Sequence, residues 1–132
     1  MIKQPKHFLI VDDDPQNNSL SKMALRKAFG EVEVIDFVTP EEALAFINTE
    51  FVDSVSDGKA VLFLDINMPT MDGWEFLEAL NTFGESVKEK LNVYMLSSSV
   101  DPEDLERANA NPYIIAFLEK PLSREMLIQM FT

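Results

Sequence analysis

Ala60-Val61-Leu62-Phe63-Leu64-Asp65-Ile66-Asn67-Met68-Pro69-Thr70-Met71-Asp72-Gly73 is the stretch that decides the fold. Five apolar residues run without interruption and stop at an acid. A strand with one wet face alternates apolar and polar residues. An unbroken apolar run of strand length suits a strand covered on both faces, as in a parallel sheet. Asp72-Gly73-Trp74-Glu75 then opens a helix with Phe76, Leu77 and Leu80 on its apolar face. The unit is strand, acid-bearing loop, helix.

Outward from this stretch the same grammar recurs. Four more runs read as strands: His7 to Val11, Val32 to Val38, Leu91 to Leu96 and Tyr113 to Leu118. Asp14-Pro15 offers an N-cap followed by proline at the first helical position. Leu20, Met23, Ala24, Leu25 and Ala28 then recur at helical spacing, and Gly30 can end that helix. Thr39-Pro40-Glu41-Glu42 has capping-box spacing ahead of Ala43, Leu44, Phe46 and Ile47. Asp101-Pro102 starts a helix carrying Leu105 and Ala108, and Ser123 precedes a short last one with Met126, Leu127 and Met130. Loops are expected at Asn48 to Lys59 and at Asn81 to Ser86, where Gly84 breaks the third helix. A strand–helix pair repeated five times predicts an α/β domain: a parallel sheet, helices on both faces, right-handed crossovers.

Composition bounds the rest. The 132 residues fit one domain, 1–132, with one core. No run approaches the roughly 18 apolar residues of a membrane span, and the polar Met1 to His7 has no signal-peptide pattern. Cysteine is absent, which excludes disulfides and thiolate metal sites and is compatible with a reducing cytosol. A net charge of -12 disfavours direct contact with nucleic acid phosphates and suits partners with basic patches.

In a sheet of this kind ligands bind beyond the carboxyl ends of the strands. Asp12, Asp13 and Asp14 follow the first strand, Asp65 and Asn67 the third, Ser97, Ser98 and Ser99 the fourth, and Glu119-Lys120-Pro121 the fifth. Carboxylates gathered on one edge repel one another and raise each other's pKa, a conflict that a hard divalent cation removes. Mg²⁺ suits this donor set: it prefers oxygen, and one or two carboxylates plus a phosphate usually hold it. A nearby lysine supplies a second compact positive charge, and a serine hydroxyl can donate to phosphoryl oxygens. A carboxylate nucleophile, a metal and fixed positive charge make a phosphoryl-transfer site.

The motifs VDDD at Val11–Asp14, LDINMPTMDG at Leu64–Gly73, MLSSS at Met95–Ser99 and EKP at Glu119–Pro121 closely resemble the receiver domains of bacterial two-component response regulators. The match covers essentially the whole chain, in order. It implies the flavodoxin-like (βα)5 receiver fold with strand order 2-1-3-4-5. It further implies that Asp65 is the phosphoacceptor. Asp12 and Asp13 would hold Mg²⁺ (or Mn²⁺), Asp13 directly and Asp12 through water, and Asn67 would add its backbone carbonyl. By the same resemblance Ser97 is the switch hydroxyl, Lys120 contacts phosphoryl oxygens, Pro121 follows a cis peptide bond and Phe117 occupies the aromatic switch position. Such a domain catalyses its own phosphorylation and dephosphorylation and is not otherwise an enzyme. Its partners would be a sensor histidine kinase or phosphotransfer protein and a downstream protein target, with no membrane; the chain would act in the cytoplasm as a stand-alone monomer or weak dimer.

Some positions depart from the usual pattern. Phe117 lacks the hydroxyl of the tyrosine common there, Ser98 replaces a small residue, commonly alanine, and the final helix is about one turn short. Trp74 and Phe76 are expected to pack the third helix, His7 to be structural or solvated, and the methionines to fill gaps. Three other readings compete. An aspartate-nucleophile phosphatase needs a second acid where Asn67 stands, and a flavin carrier needs a phosphate-cradling loop where Asp12 to Asp14 would repel the phosphate. A pseudo-receiver that only binds partners fits poorly with an intact set of Asp12, Asp13, Asp65, Ser97 and Lys120.

Overall fold

The computed structural model describes residues 5–51, 59–99 and 101–131. Five parallel strands, β1 (His7–Val11), β2 (Glu33–Phe37), β3 (Ala60–Asp65), β4 (Leu91–Ser97) and β5 (Ile114–Glu119), stand in the order β2-β1-β3-β4-β5. Among the described residues six α-helices accompany them: α1 (Pro15–Phe29), α2 (Pro40–Phe46), α3 (Gly73–Asn81), α4 (Glu85–Lys90), α5 (Pro102–Asn109) and α6 (Arg124–Phe131). This is the flavodoxin-like order 2-1-3-4-5, with the strand order reversing between β1 and β3.

The unbroken apolar run of β3 is buried at every position, because alternate side chains feed two separate cores. Phe8, Ile10, Val61, Phe63, Tyr94 and Leu96 pack with Leu25, Leu127 and Phe131 under α1 and α6. Leu9, Val11, Leu62, Leu64, Val93 and Met95 pack with Ala43, Phe76, Leu77 and Ala108 on the opposite face. Aromatic contacts tie the first core together: Phe131 meets Phe8, Phe29 and Tyr94 edge-on at centroid distances of 6.1, 5.8 and 5.6 Å.

The expected caps form. Asp14 accepts from the Gln16 N–H at 3.0 Å, Thr39 from Glu42 and Asp101 from Glu103. The complete reciprocal capping box is at α3, where Asp72 and Glu75 bond each other's backbone N–H groups. His7 pairs with Glu33 at 3.0 Å, a structural role at the start of the sheet.

Three expectations need correction. The loop predicted from Asn48 starts later: Ile47–Phe51 continues α2 as one turn of π-helix. The apolar pair Ile47 and Phe51, both almost fully buried, holds that turn against the core. Residues 52–58 of that predicted loop lie outside the described residues. The loop predicted over Asn81 to Ser86 is only partly a loop. Gly84 does break α3, with φ at +98°, but Glu85 and Ser86 already belong to α4, which buried Val87 anchors. The pattern of five strand–helix pairs therefore carries one extra short helix. Finally, Leu20 and Met23 share the helical spacing expected of the apolar face of α1, yet they are 53% and 52% exposed. Of those five residues Ala24 and Leu25 are buried and Ala28 packs partly buried against the same core, so Met23 is not a gap-filler.

Gly73 opens α3 where backbone comes very close. A Cβ there would stand 2.9 Å from the carbonyl oxygen of Asp65 and 2.9 Å from Met95 Cε. Gly73→Ala is therefore expected to cost about 1–3 kcal/mol through forced displacement, and the shift falls on the Asp65 backbone. Urea unfolding of the variant measures it, and a cost near zero would show that α3 can move away freely.

Candidate functional site

The carboxyl ends of four strands deliver the site. Asp12 follows β1, where its backbone N–H donates to the Phe37 carbonyl at 3.1 Å. Asp65 ends β3 and is paired in register with Leu96. Ser97 ends β4, and the Lys120 N–H donates to the Ser97 carbonyl at 2.8 Å, which fixes the end of β5 against β4. The Lys120–Pro121 peptide is cis.

At the centre lies an ion-pair network. The Lys120 ammonium is 2.8 Å from Asp12 Oδ2 and 3.1 Å from Asp65 Oδ1. Both acids are almost fully buried, whereas Asp13 is exposed at the rim. One lysine thus compensates two buried carboxylates, and a third stands beside them. Burial pushes the Asp65 carboxyl up to about 6, the neighbouring Asp12 charge adds to the rise, and Lys120 opposes it without cancelling it. For Lys120 burial favours the neutral amine, but its bonds to Asp12 and Asp65 outweigh that and raise its pKa.

An open cavity of about 430 Å³ sits over this network, lined by Asp12, Asp13, Asp14, Asn17, Asp65, Asn67, Ser98, Lys120 and Pro121. Asp12, Asp13 and Asp65 each place a carboxylate oxygen within 4.8 Å of the others. All three are hard oxygen donors, the geometry leaves room for water, and one lysine is shared by two of these acids. The donor set therefore fits a hard divalent cation such as Mg²⁺. Asn67 lies at the cavity, its N–H 3.4 Å from Asp65 Oδ1.

Two of the sequence-predicted residues do not line this cavity. Ser97 is buried, and its hydroxyl donates to the Ser99 carbonyl at 2.6 Å; it is Ser98, exposed, that lines the cavity. Phe117 is half-buried against the core under α3 and α5. Sequence reasoning missed Asn17 and Asn18. The Asn17 side-chain amide donates to Asp12 Oδ2, and the buried Asn18 amide donates to the Asp12 carbonyl at 3.1 Å and to the Phe37 carbonyl at 3.4 Å. The available signal was three consecutive amides, Gln16 to Asn18, in the first turn of α1, one residue after the acidic run. Trp74 has more than a packing role: its Nε1–H donates to Asp104 at 3.3 Å and the Arg107 guanidinium lies 4.4 Å from its ring centroid, which ties α3 to α5.

Comparison with known proteins agrees with this geometry. The family model of the response regulator receiver domain matches residues 8–132. A response regulator receiver protein from Dyadobacter fermentans is 31% identical, with a TM-score of 0.82 and coverage of 94% of this chain and 93% of that one. A two component response regulator from Cytophaga hutchinsonii is 26% identical, with a TM-score of 0.85 over 98% and 96% of the two chains. Among curated proteins, the cyclic di-GMP phosphodiesterase response regulator RpfG of Xanthomonas campestris is 28% identical over 88% of this chain and 28% of its own length. The transcriptional regulatory protein GlrR of Escherichia coli is 28% identical over 98% of this chain and 26% of its own length. The chain thus spans about a quarter of the length of these curated relatives. Sheet order, strand-end acids and family match converge, and the chain belongs to the response regulator receiver domain family.

Proposed function

We propose that this domain accepts a phosphoryl group on Asp65 from a phosphohistidine and signals through contact with another protein. The observation that supports it is Lys120 poised between two buried carboxylates under an open cavity, with burial raising the Asp65 carboxyl. A kinase or phosphotransfer protein presents the phosphohistidine. An Asp65 carboxylate oxygen attacks phosphorus in line; the P–O bond forms as the P–N bond breaks, and the imidazole departs and takes up a proton. Lys120 turns its ammonium onto the phosphoryl oxygens and offsets their charge. Asp12, Asp13, Asp65 and the Asn67 carbonyl would hold Mg²⁺, which when bound supplies further positive charge beside the transferring group. Water later cleaves the acyl phosphate and the signal decays.

The output follows from Ser97 and Phe117. In the unphosphorylated geometry the Ser97 hydroxyl is spent on Ser99. A phosphoryl oxygen on Asp65 gives it a better acceptor, drawing the loop after β4 inward and biasing Phe117 and the α5–β5–α6 face. Donor docking is assigned to α1. Exposed Leu20 and Met23 line a groove with Pro121, Leu122 and Arg124 immediately beside the site, so a helical donor can dock there and reach Asp65.

Intact mass after incubation with acetyl phosphate tests the reading. Wild type is expected to gain one phosphoryl group only with Mg²⁺ present, and Asp65→Asn to gain none. No gain on folded wild type would leave a partner-binding pseudo-receiver as the better description.

A further inference from the structure

We propose that Asn17 is a positioning residue for the carboxylate cluster, holding Asp12 in place when Lys120 is drawn to Asp65. Asp12 is almost wholly buried, so each of its oxygens needs a donor. Oδ1 accepts from the Asp14 N–H at 3.0 Å. Oδ2 accepts from Asn17 Nδ2 at 2.5 Å and from Lys120 Nζ at 2.8 Å. Lys120 is shared, because it also lies 3.1 Å from Asp65 Oδ1. Any group that arrives at Asp65 and attracts the ammonium withdraws it from Asp12. Asn17 is the side chain that then still donates to Asp12 Oδ2.

The chemistry of the amide suits this duty. A lysine or arginine at position 17 would neutralise the cluster and compete with a cation. Asn17 donates without adding charge, so it orients the carboxylate and leaves its negative potential intact. The next residue secures the backbone of the same acid: Asn18, fully buried, donates to the Asp12 carbonyl at 3.1 Å. Asp14 as N-cap and Pro15 at the first helical position fix the phase of α1, which turns both amides toward Asp12. Partners that orient a ligating group from outside the metal shell commonly change metal affinity about 10–100-fold when removed.

The inference rests on reading Asp12, Asp13 and Asp65 as a divalent cation site. Mn²⁺ serves as the probe, its free concentration followed by electron paramagnetic resonance in a titration of the metal-free protein. Asn17→Leu removes the donor at similar size with a good helix former. It is expected to weaken Mn²⁺ binding about 10-fold or more. In an Asp12→Ala background the same substitution is expected to change affinity less than twofold, since its target is gone. An Asn17→Leu affinity within twofold of wild type overturns the proposal, as does an equal loss in both backgrounds, which would mark a structural role only. If Asn17→Leu loses its circular dichroism, Asn17→Ala carries the same comparison. Wild type that binds no Mn²⁺ at millimolar concentration fails before any variant is compared, and overturns the cation-site reading and this proposal together.

Discussion

Lys120→Met is expected to destabilise the metal-free protein by about 3–5 kcal/mol at neutral pH, the usual cost of stripping one partner from a buried ion pair. The cause is specific. The ammonium at 2.8 Å from Asp12 and 3.1 Å from Asp65 is the cation these two buried acids share. Methionine keeps the apolar stem and removes only the charge. Both carboxylates then face each other uncompensated, and their only relief is protonation or a cation from solution. Two corollaries separate this cause from lost packing. Adding Asp65→Asn recovers stability, because the repulsion has lost one member; close pairs of this kind couple by about 0.5–3 kcal/mol. Millimolar Mg²⁺ also recovers part of it. Urea denaturation of the four proteins of the cycle measures both effects, and a cost below about 1 kcal/mol for Lys120→Met would show the network to be solvated like a surface pair. Phosphorylation by acetyl phosphate is expected to fall with it, since the ammonium is also the group assigned to the phosphoryl oxygens.

Metal-free wild type is expected to lose up to about 3 kcal/mol of stability between pH 4 and pH 7 relative to Asp65→Asn, each unit of pKa difference being worth 1.36 kcal/mol. The sign is opposite to that of an ordinary salt-bridged aspartate. The folded-state pKa of Asp65 is raised from 3.8 to about 6, so between these values the folded state binds more protons than the unfolded one. The stabilising contribution is complete below the lower value and lost as pH rises through the upper one. Asp65→Asn, which never ionises, is therefore more stable than wild type at pH 7.5, and the difference closes near pH 4. Mg²⁺ shrinks the gap at neutral pH by favouring the ionised acid, and its binding releases a proton near pH 5.5. Unfolding of both proteins across this range, with EDTA or with Mg²⁺, measures it. Parallel curves for the two proteins would mean that burial does not perturb Asp65.

How much of this was legible beforehand depends on the distance over which each feature is decided. The apolar run of β3, the Asp-Pro helix starts and the order of strands and helices are local matters of periodicity and capping, and they sufficed for the parallel α/β sheet. The positions after the strand ends named Asp12, Asp13, Asp65, Ser97 and Lys120, because topology sends every such position to one edge. Other features were not local. Leu20 and Met23 share helical spacing with Ala24 and Leu25, and only the placement of Pro121 and Leu122 beside α1 decides which of them face the groove. Val87 buys α4 its place in a segment too short to be a helix by itself, since a helix of six residues holds only when packing supports it. The burial that lifts Asp65 to about 6 is likewise a property of surroundings, not of the residue. Asn17 shows the division most plainly. Its sequence position says only that an amide sits in the first turn of a helix, whereas its meeting with Asp12, and through Asp12 with Lys120 at 108 residues' remove, exists only once β1, β3, β4 and β5 are joined in one sheet. The sequence by itself determined the fold and the chemical types at the site. Tertiary structure decided which carboxylates share one ammonium, because hydrogen bonds and desolvation act over a few ångströms that the chain must first be folded to bring about.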